Sequence, residues 1–164
     1  MVNKMIAVAE NKEPVEGNLY YATEDLSFCF KPKKLYSFST SFGEGGVASL
    51  QIGTLQVEIE SETGRCLFVW GYHPYFQWEN LSLMVPEYSN GAVYYISKGR
   101  IANGVSINLP DSKEWVSYFD RKSNLLCVTN KKYPIRKNYK IATGVILGVE
   151  DCELCSIWLN PVFK

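Results

Sequence analysis

Leu55-Gln56-Val57-Glu58-Ile59-Glu60 alternates apolar and polar residues over six positions, with Leu, Val and Ile on one face and Gln, Glu and Glu on the other. A period of two marks a half-buried strand, because successive side chains leave opposite faces of an extended backbone. Ser61-Glu62-Thr63-Gly64 follows as a turn of hairpin length, and Arg65-Cys66-Leu67-Phe68-Val69-Trp70 is rich in β-formers. Residues 54–70 therefore read as a hairpin, and they set the fold class.

Working outward, the same form recurs twice. Val116-Ser117-Tyr118-Phe119 and Leu125-Leu126-Cys127-Val128 flank a polar turn, and so do Val145-Ile146-Leu147-Gly148-Val149 and Leu154-Cys155-Ser156-Ile157-Trp158. A short helix competes at the start of the first of these, where Asp111 and Glu114 resemble a capping box and Trp115, Tyr118 and Phe119 fall at helical spacing. Asn90-Gly91 and Asn103-Gly104 suit type I′ turns, so residues 92–96 and 105–109 read as strands. Leu26-Ser27-Phe28-Cys29-Phe30 and Tyr36-Ser37-Phe38-Ser39 suggest another hairpin, and residues 1–16 fit either a strand or a short helix. About ten short strands with regular turn signals predict a mainly β chain, an antiparallel sandwich or partly open barrel with one or two short helices at most.

The 164 residues are enough for one domain that buries roughly 70% of its extended-chain surface. Phe42-Gly43-Glu44-Gly45-Gly46 reads as a flexible internal loop, since the 42 residues up to it are too few for a core of their own. With 46% hydrophobic and 21% charged residues, disordered and low-complexity classes are excluded. Seventeen basic residues balance seventeen acidic ones, so no global charge draws the chain to nucleic acid or an anionic membrane. The apolar stretch at residues 5–9 is too short for a secretory signal, and no run reaches the ~18–20 residues of a membrane helix. Five cysteines, an odd number, argue for a reducing compartment, so the expectation is a cytoplasmic protein. Cys29, Cys66, Cys127 and Cys155 have apolar neighbours and read as small core residues.

Two segments stand out chemically. Trp70-Gly71-Tyr72-His73-Pro74-Tyr75-Phe76-Gln77-Trp78 packs five aromatics and the only histidine into nine residues. Trp70, Tyr72, His73, Tyr75 and Trp78 are candidate ligand contacts, because aromatic faces stack on sugars and bases while imidazole supplies a polar handle. Between residues 121 and 140 there are seven basic residues and no acidic one, with tyrosines interleaved. Lys131, Lys132, Tyr133, Arg136, Lys137 and Tyr139 are candidate partner contacts for an acidic surface.

Other constellations are weaker. His73 as a base for a hydrolase lacks any nucleophile signature such as Gly-x-Ser-x-Gly. Cys152-Glu153-Leu154-Cys155 has metal-ligand spacing, but without a matching second pair it reads as structural. Glu58 and Glu60 read as a solvated strand face. No catalytic residue, metal or cofactor is expected. The sequence points to a small non-catalytic interaction or inhibitor-type protein, for example one that neutralises a toxin by occluding it. A ligand-binding β module for carbohydrate, built on residues 70–78, is the alternative.

Overall fold

The computed structural model describes residues 5–34, 46–131 and 136–164. The hairpin at its centre pairs β5 (Leu55–Glu60) with β6 (Cys66–Tyr72), antiparallel, with a bulge between Glu58 and Ile59. Leu55, Val57 and Ile59 are fully buried, as their alternation requires. Gly64 closes the turn at φ +78°, and the carbonyl of Tyr95 presses on its Cα so closely that a Cβ has no room.

Around this hairpin a seven-stranded sheet forms in the order β15 (Val162–Phe163), β2 (Gly17–Ala22), β3 (Ser27–Pro32), β6, β5, β4 (Val47–Ile52), β9 (Ser106–Asn108). An eight-stranded sheet packs against it. Its order is β1 (Ile6–Glu10), β8 (Ser89–Tyr95), β12 (Lys137–Ala142), β13 (Val145–Glu150), β14 (Glu153–Leu159), β11 (Leu125–Thr129), β10 (Val116–Asp120), β7 (Glu79–Asn80). The fold is a sandwich, and neither sheet closes into a barrel. Leu50, Val57 and Val69 from one sheet meet Val93, Leu126, Leu147 and Ile157 from the other in a common core. Alternation along each strand supplies that layer.

The three expected hairpins are present as β5–β6, β10–β11 and β13–β14. The last turns on Asp151-Cys152, both at positive φ (49° and 61°), the geometry of a type I′ turn built without glycine. Both sheets are mixed: short parallel pairings join β7 to β10, β8 to β12, β2 to β15 and β4 to β9.

Several expectations need correction. Asn90-Gly91 is not a turn but lies inside β8, where Gly91 is demanded by crowding: a Cβ there would sit 2.8 Å from the Tyr139 ring and 3.2 Å from the Ala9 carbonyl. The Asp111–Glu114 spacing yields only one 3-10 turn, Ser112–Glu114, with Asp111 at φ 58° and no side-chain cap. Tyr118 and Phe119 are in β10. Cys29 is exposed, because Phe28 and Phe30 take the inward positions of β3. The partner of β3 across its hairpin is β2. Tyr36-Ser37-Phe38-Ser39 and residues 42–45 of the glycine loop lie outside the described residues. Among the described residues no helix is long and apolar enough to cross a membrane.

Candidate functional site

Residues 70–78 leave β6 and divide among three places. Trp70 and Tyr72 project outward from the seven-stranded sheet, 39% and 46% exposed. The His73 backbone is pinned, its N–H donating to the Leu26 carbonyl (2.7 Å) and its carbonyl accepting from Tyr21 Oη (2.8 Å). Its imidazole turns inward, with Nε2 2.8 Å from Ser117 Oγ and the ring tilted against Phe28 and Trp78. Burial pushes the imidazole pKa down to about 4, so the ring is neutral at pH 7. A cleft of about 360 Å³ lies alongside, lined by Gln77, Glu79, Lys113 and Trp115 among others. Among the described residues, Ser117 is the hydrogen-bond partner of the imidazole, and no third group orients it as a base–nucleophile pair requires. The pair joins the end of β6 to β10, so it ties the two sheets together.

Past Pro74, a 3-10 turn (Tyr75–Gln77) leaves Tyr75 and Phe76 in solvent. Trp78 folds back onto Tyr21 (centroids 4.9 Å apart) and Phe119 (5.2 Å), and Phe119 in turn meets Phe163 (5.7 Å). These rings seal one end of the sandwich. Tyr75 and Trp78 share one cavity of about 390 Å³ with Phe76, Phe119 and Phe163, whereas Trp70, Tyr72 and His73 do not line it, so the five do not converge on one pocket.

The basic run is also dispersed. Lys131 places its ammonium 5.2 Å from the Tyr118 ring centroid, and the Tyr118 hydroxyl raises its pKa. Arg136 is half-buried on the outer side of the eight-stranded sheet, whereas the exposed Lys137 has the parity of Tyr139 and pairs with the core residue Val149, so it does not share that face. Tyr139 is only 5% exposed and belongs to the core, so it offers no surface to a partner. Lys132 and Tyr133 lie outside the described residues.

What unites these cations is a feature that the sequence pattern did not reveal. Residues 81–88, without regular structure, run from β7 at one border of the eight-stranded sheet toward β8 near the other. At the start, Leu81 N–H donates to the Phe119 carbonyl (3.0 Å) and Leu83 N–H to the Asp120 carboxylate (2.9 Å). At the end, Asn138 Nδ2 donates to the Glu87 carbonyl (3.3 Å). Asp120 and Asn138 are separated by β11, β14 and β13, and the inner face of those strands is filled by the other sheet. The segment must therefore cross the outer face as a strap. That crossing accounts for the burial of the outward-facing Cys127, Ile146 and Ser156, which the core between the sheets does not reach.

Arg121 and Lys122 adjoin the Asp120 anchor, while Arg136 and Lys137 adjoin the Asn138 anchor. The Asp120 carboxyl is held below its ordinary pKa by the Leu83 and Lys122 N–H groups that it accepts. The strap's only sequence signal is Leu81-Ser82-Leu83-Met84-Val85-Pro86, an apolar stretch of neither period.

The remaining candidates do not form sites. Cys152 sits in the β13–β14 turn and Cys155 is buried beyond it, its thiol pushed up to about 11 by burial. Burial likewise pushes Cys66 and Cys127 up to about 12, which leaves these thiols protonated and unreactive at pH 7. Glu58 and Glu60 are not a solvated face: Glu60 is buried, and Glu58 is half-buried with its pKa raised by desolvation. No protein-family model and no curated protein sequence matches the chain.

Proposed function

We propose that the protein is a non-catalytic binding protein that acts by occluding a protein partner, as an inhibitor or toxin-neutralising protein does, and that it docks through the strap face. One observation carries the reading. Four large apolar side chains stand in solvent within eight consecutive residues: Leu81 (49%), Met84 (87%), Val85 (56%) and Tyr88 (47%). Such side chains gain about 25 cal/mol for each Å² removed from water, and a flexible thioether adapts to an uneven partner surface. Arg121 and Lys122 beside one anchor and Arg136 beside the other bring positive charge to the two ends of this apolar ridge. They suit a partner with an acidic rim, where charge sets encounter rate more than final affinity. The His73–Ser117 pair, lacking an orienting group, fits a structural tie and not a catalytic one.

Association kinetics test the reading. Reversing the exposed Arg121, Lys122 and Lys131 to Glu should slow association with the cognate partner at least tenfold at low salt and flatten the salt dependence. Equal rates for wild type and the triple variant would remove the basic rim from the account.

A further inference from the structure

The outward face of the seven-stranded sheet carries two cross-strand rows of a different character. Strand pairing places Asn108, Gln51, Gln56 and Trp70 side by side across β9, β4, β5 and β6. One step along, it places Ser106, Ser49, Glu58 and Phe68 in the same order. Leu50, Val57 and Val69, which alternate with them, fill the core, so the rows face away from the other sheet except at Phe68, which stacks on Phe30 (centroids 4.8 Å apart) against the core. Asn108 and Ser106 are exposed, Trp70 is 39% exposed, Gln51 and Glu58 are half-buried, and Ser49 and Gln56 are buried. Beneath them, Ser49 Oγ donates to Gln56 Oε1 (2.8 Å) and lies 3.1 Å from Ser106 Oγ. The Trp70 side chain donates to the Glu58 carboxylate. Neither row contains lysine or arginine.

We propose that this face binds a neutral polysaccharide chain, which runs across the strands over the Asn108 and Gln51 amides and stacks one sugar ring on Trp70. A sugar ring offers a flat C–H face edged by hydroxyls. The indole matches the first, and carboxamides match the second because each presents donors and an acceptor together. Strands repeat every ~4.8 Å, so the amides recur at about the spacing of successive sugar units. The lack of cations in the rows leaves an anionic ligand without a counter-charge. The strap lies on the other outer face of the sandwich, so this site is independent of the partner-docking surface.

The test is electrophoresis of the intact protein through native gels containing hydroxyethyl cellulose, xylan, galactomannan or soluble starch, followed by calorimetric titration with the hexasaccharide of whichever polymer retards it. We expect retardation by at least one neutral polymer. Trp70→Ala should weaken binding at least tenfold, the edge variant Asn108→Ala severalfold, and Tyr75→Ala, at the far end of the aromatic segment, not at all. Far-UV circular dichroism confirms that each variant is folded, and Trp70→Phe should keep part of the affinity. Migration unaffected by all four polymers, retardation by dextran sulfate alone, or full affinity in folded Trp70→Ala each overturns the proposal.

Discussion

His73 is the only histidine in the chain, which makes the pH dependence of stability between 4.5 and 7.5 a test of one residue's surroundings. An unfolded histidine titrates near 6.5, whereas burial against Phe28 and Trp78 lowers the folded value to about 4. Between those values the unfolded chain binds the extra proton, so the folded state loses stability as pH falls. The stability is fully present above about pH 6.5 and is withdrawn progressively down to about pH 4. A separation of about 2.5 pKa units corresponds to about 3.4 kcal/mol, of which about 2.5 kcal/mol has gone by pH 4.5. Glu58 and Glu60 act in the opposite sense, because their raised pKa values make protonation favour the fold. Their contribution cancels when wild type is compared with His73→Gln, which keeps a hydrogen-bonding group near Ser117 but takes up no proton in this range. Urea denaturation at pH 7.5 and 4.5 should show the wild type losing about 2.5 kcal/mol more than His73→Gln. Parallel profiles for the two proteins would refute the burial of the imidazole and its role as a tie between the sheets.

Other consequences concern the turn, the strap and its bed. Gly64→Ala combines a positive φ with overlap onto the Tyr95 carbonyl, and should cost more than about 2 kcal/mol in urea unfolding. Asp120→Ala removes the acceptor of both the Leu83 and Lys122 N–H groups, and should raise hydrogen exchange across residues 81–88 while leaving β5 and β6 protected. Gly148→Ala would drive a methyl group into Ser156 Oγ and to 2.9 Å from Asn138 Oδ1. It should destabilise the protein by about 1–3 kcal/mol and loosen the Asn138 end of the strap, read by the same exchange experiment.

The local half of this architecture was legible in the sequence and the long-range half was not. Alternation at Leu55, Val57 and Ile59 needs only neighbours a few residues away, so the central hairpin could be read directly. Gly91 looks like a turn glycine, yet its reason is the ring of Tyr139, 48 positions later, and no local pattern carries that information. In Phe28-Cys29-Phe30 the alternation was visible, but taking apolar neighbours as a sign of burial put the exposed cysteine in the core. The aromatic segment looked like one site because it is continuous in sequence. A strand end, a 3-10 turn and a return into the core then send its side chains to three different surroundings. The strap has no periodic signature in the sequence because a segment that crosses a sheet without joining it needs none. Gln51, Gln56 and Asn108 became a row only once β4, β5 and β9 were paired.

The claim that the strap face recognises a protein partner is tested most directly by parallel affinity capture from the native cell with wild type and with a Met84→Asp, Val85→Asp double variant, quantified by mass spectrometry. Both side chains stand in solvent, so the double variant should unfold in urea at the same midpoint as wild type. The account predicts one protein recovered in stoichiometric amount by wild type and depleted at least tenfold with the variant. A stoichiometric partner recovered equally by both proteins would contradict it.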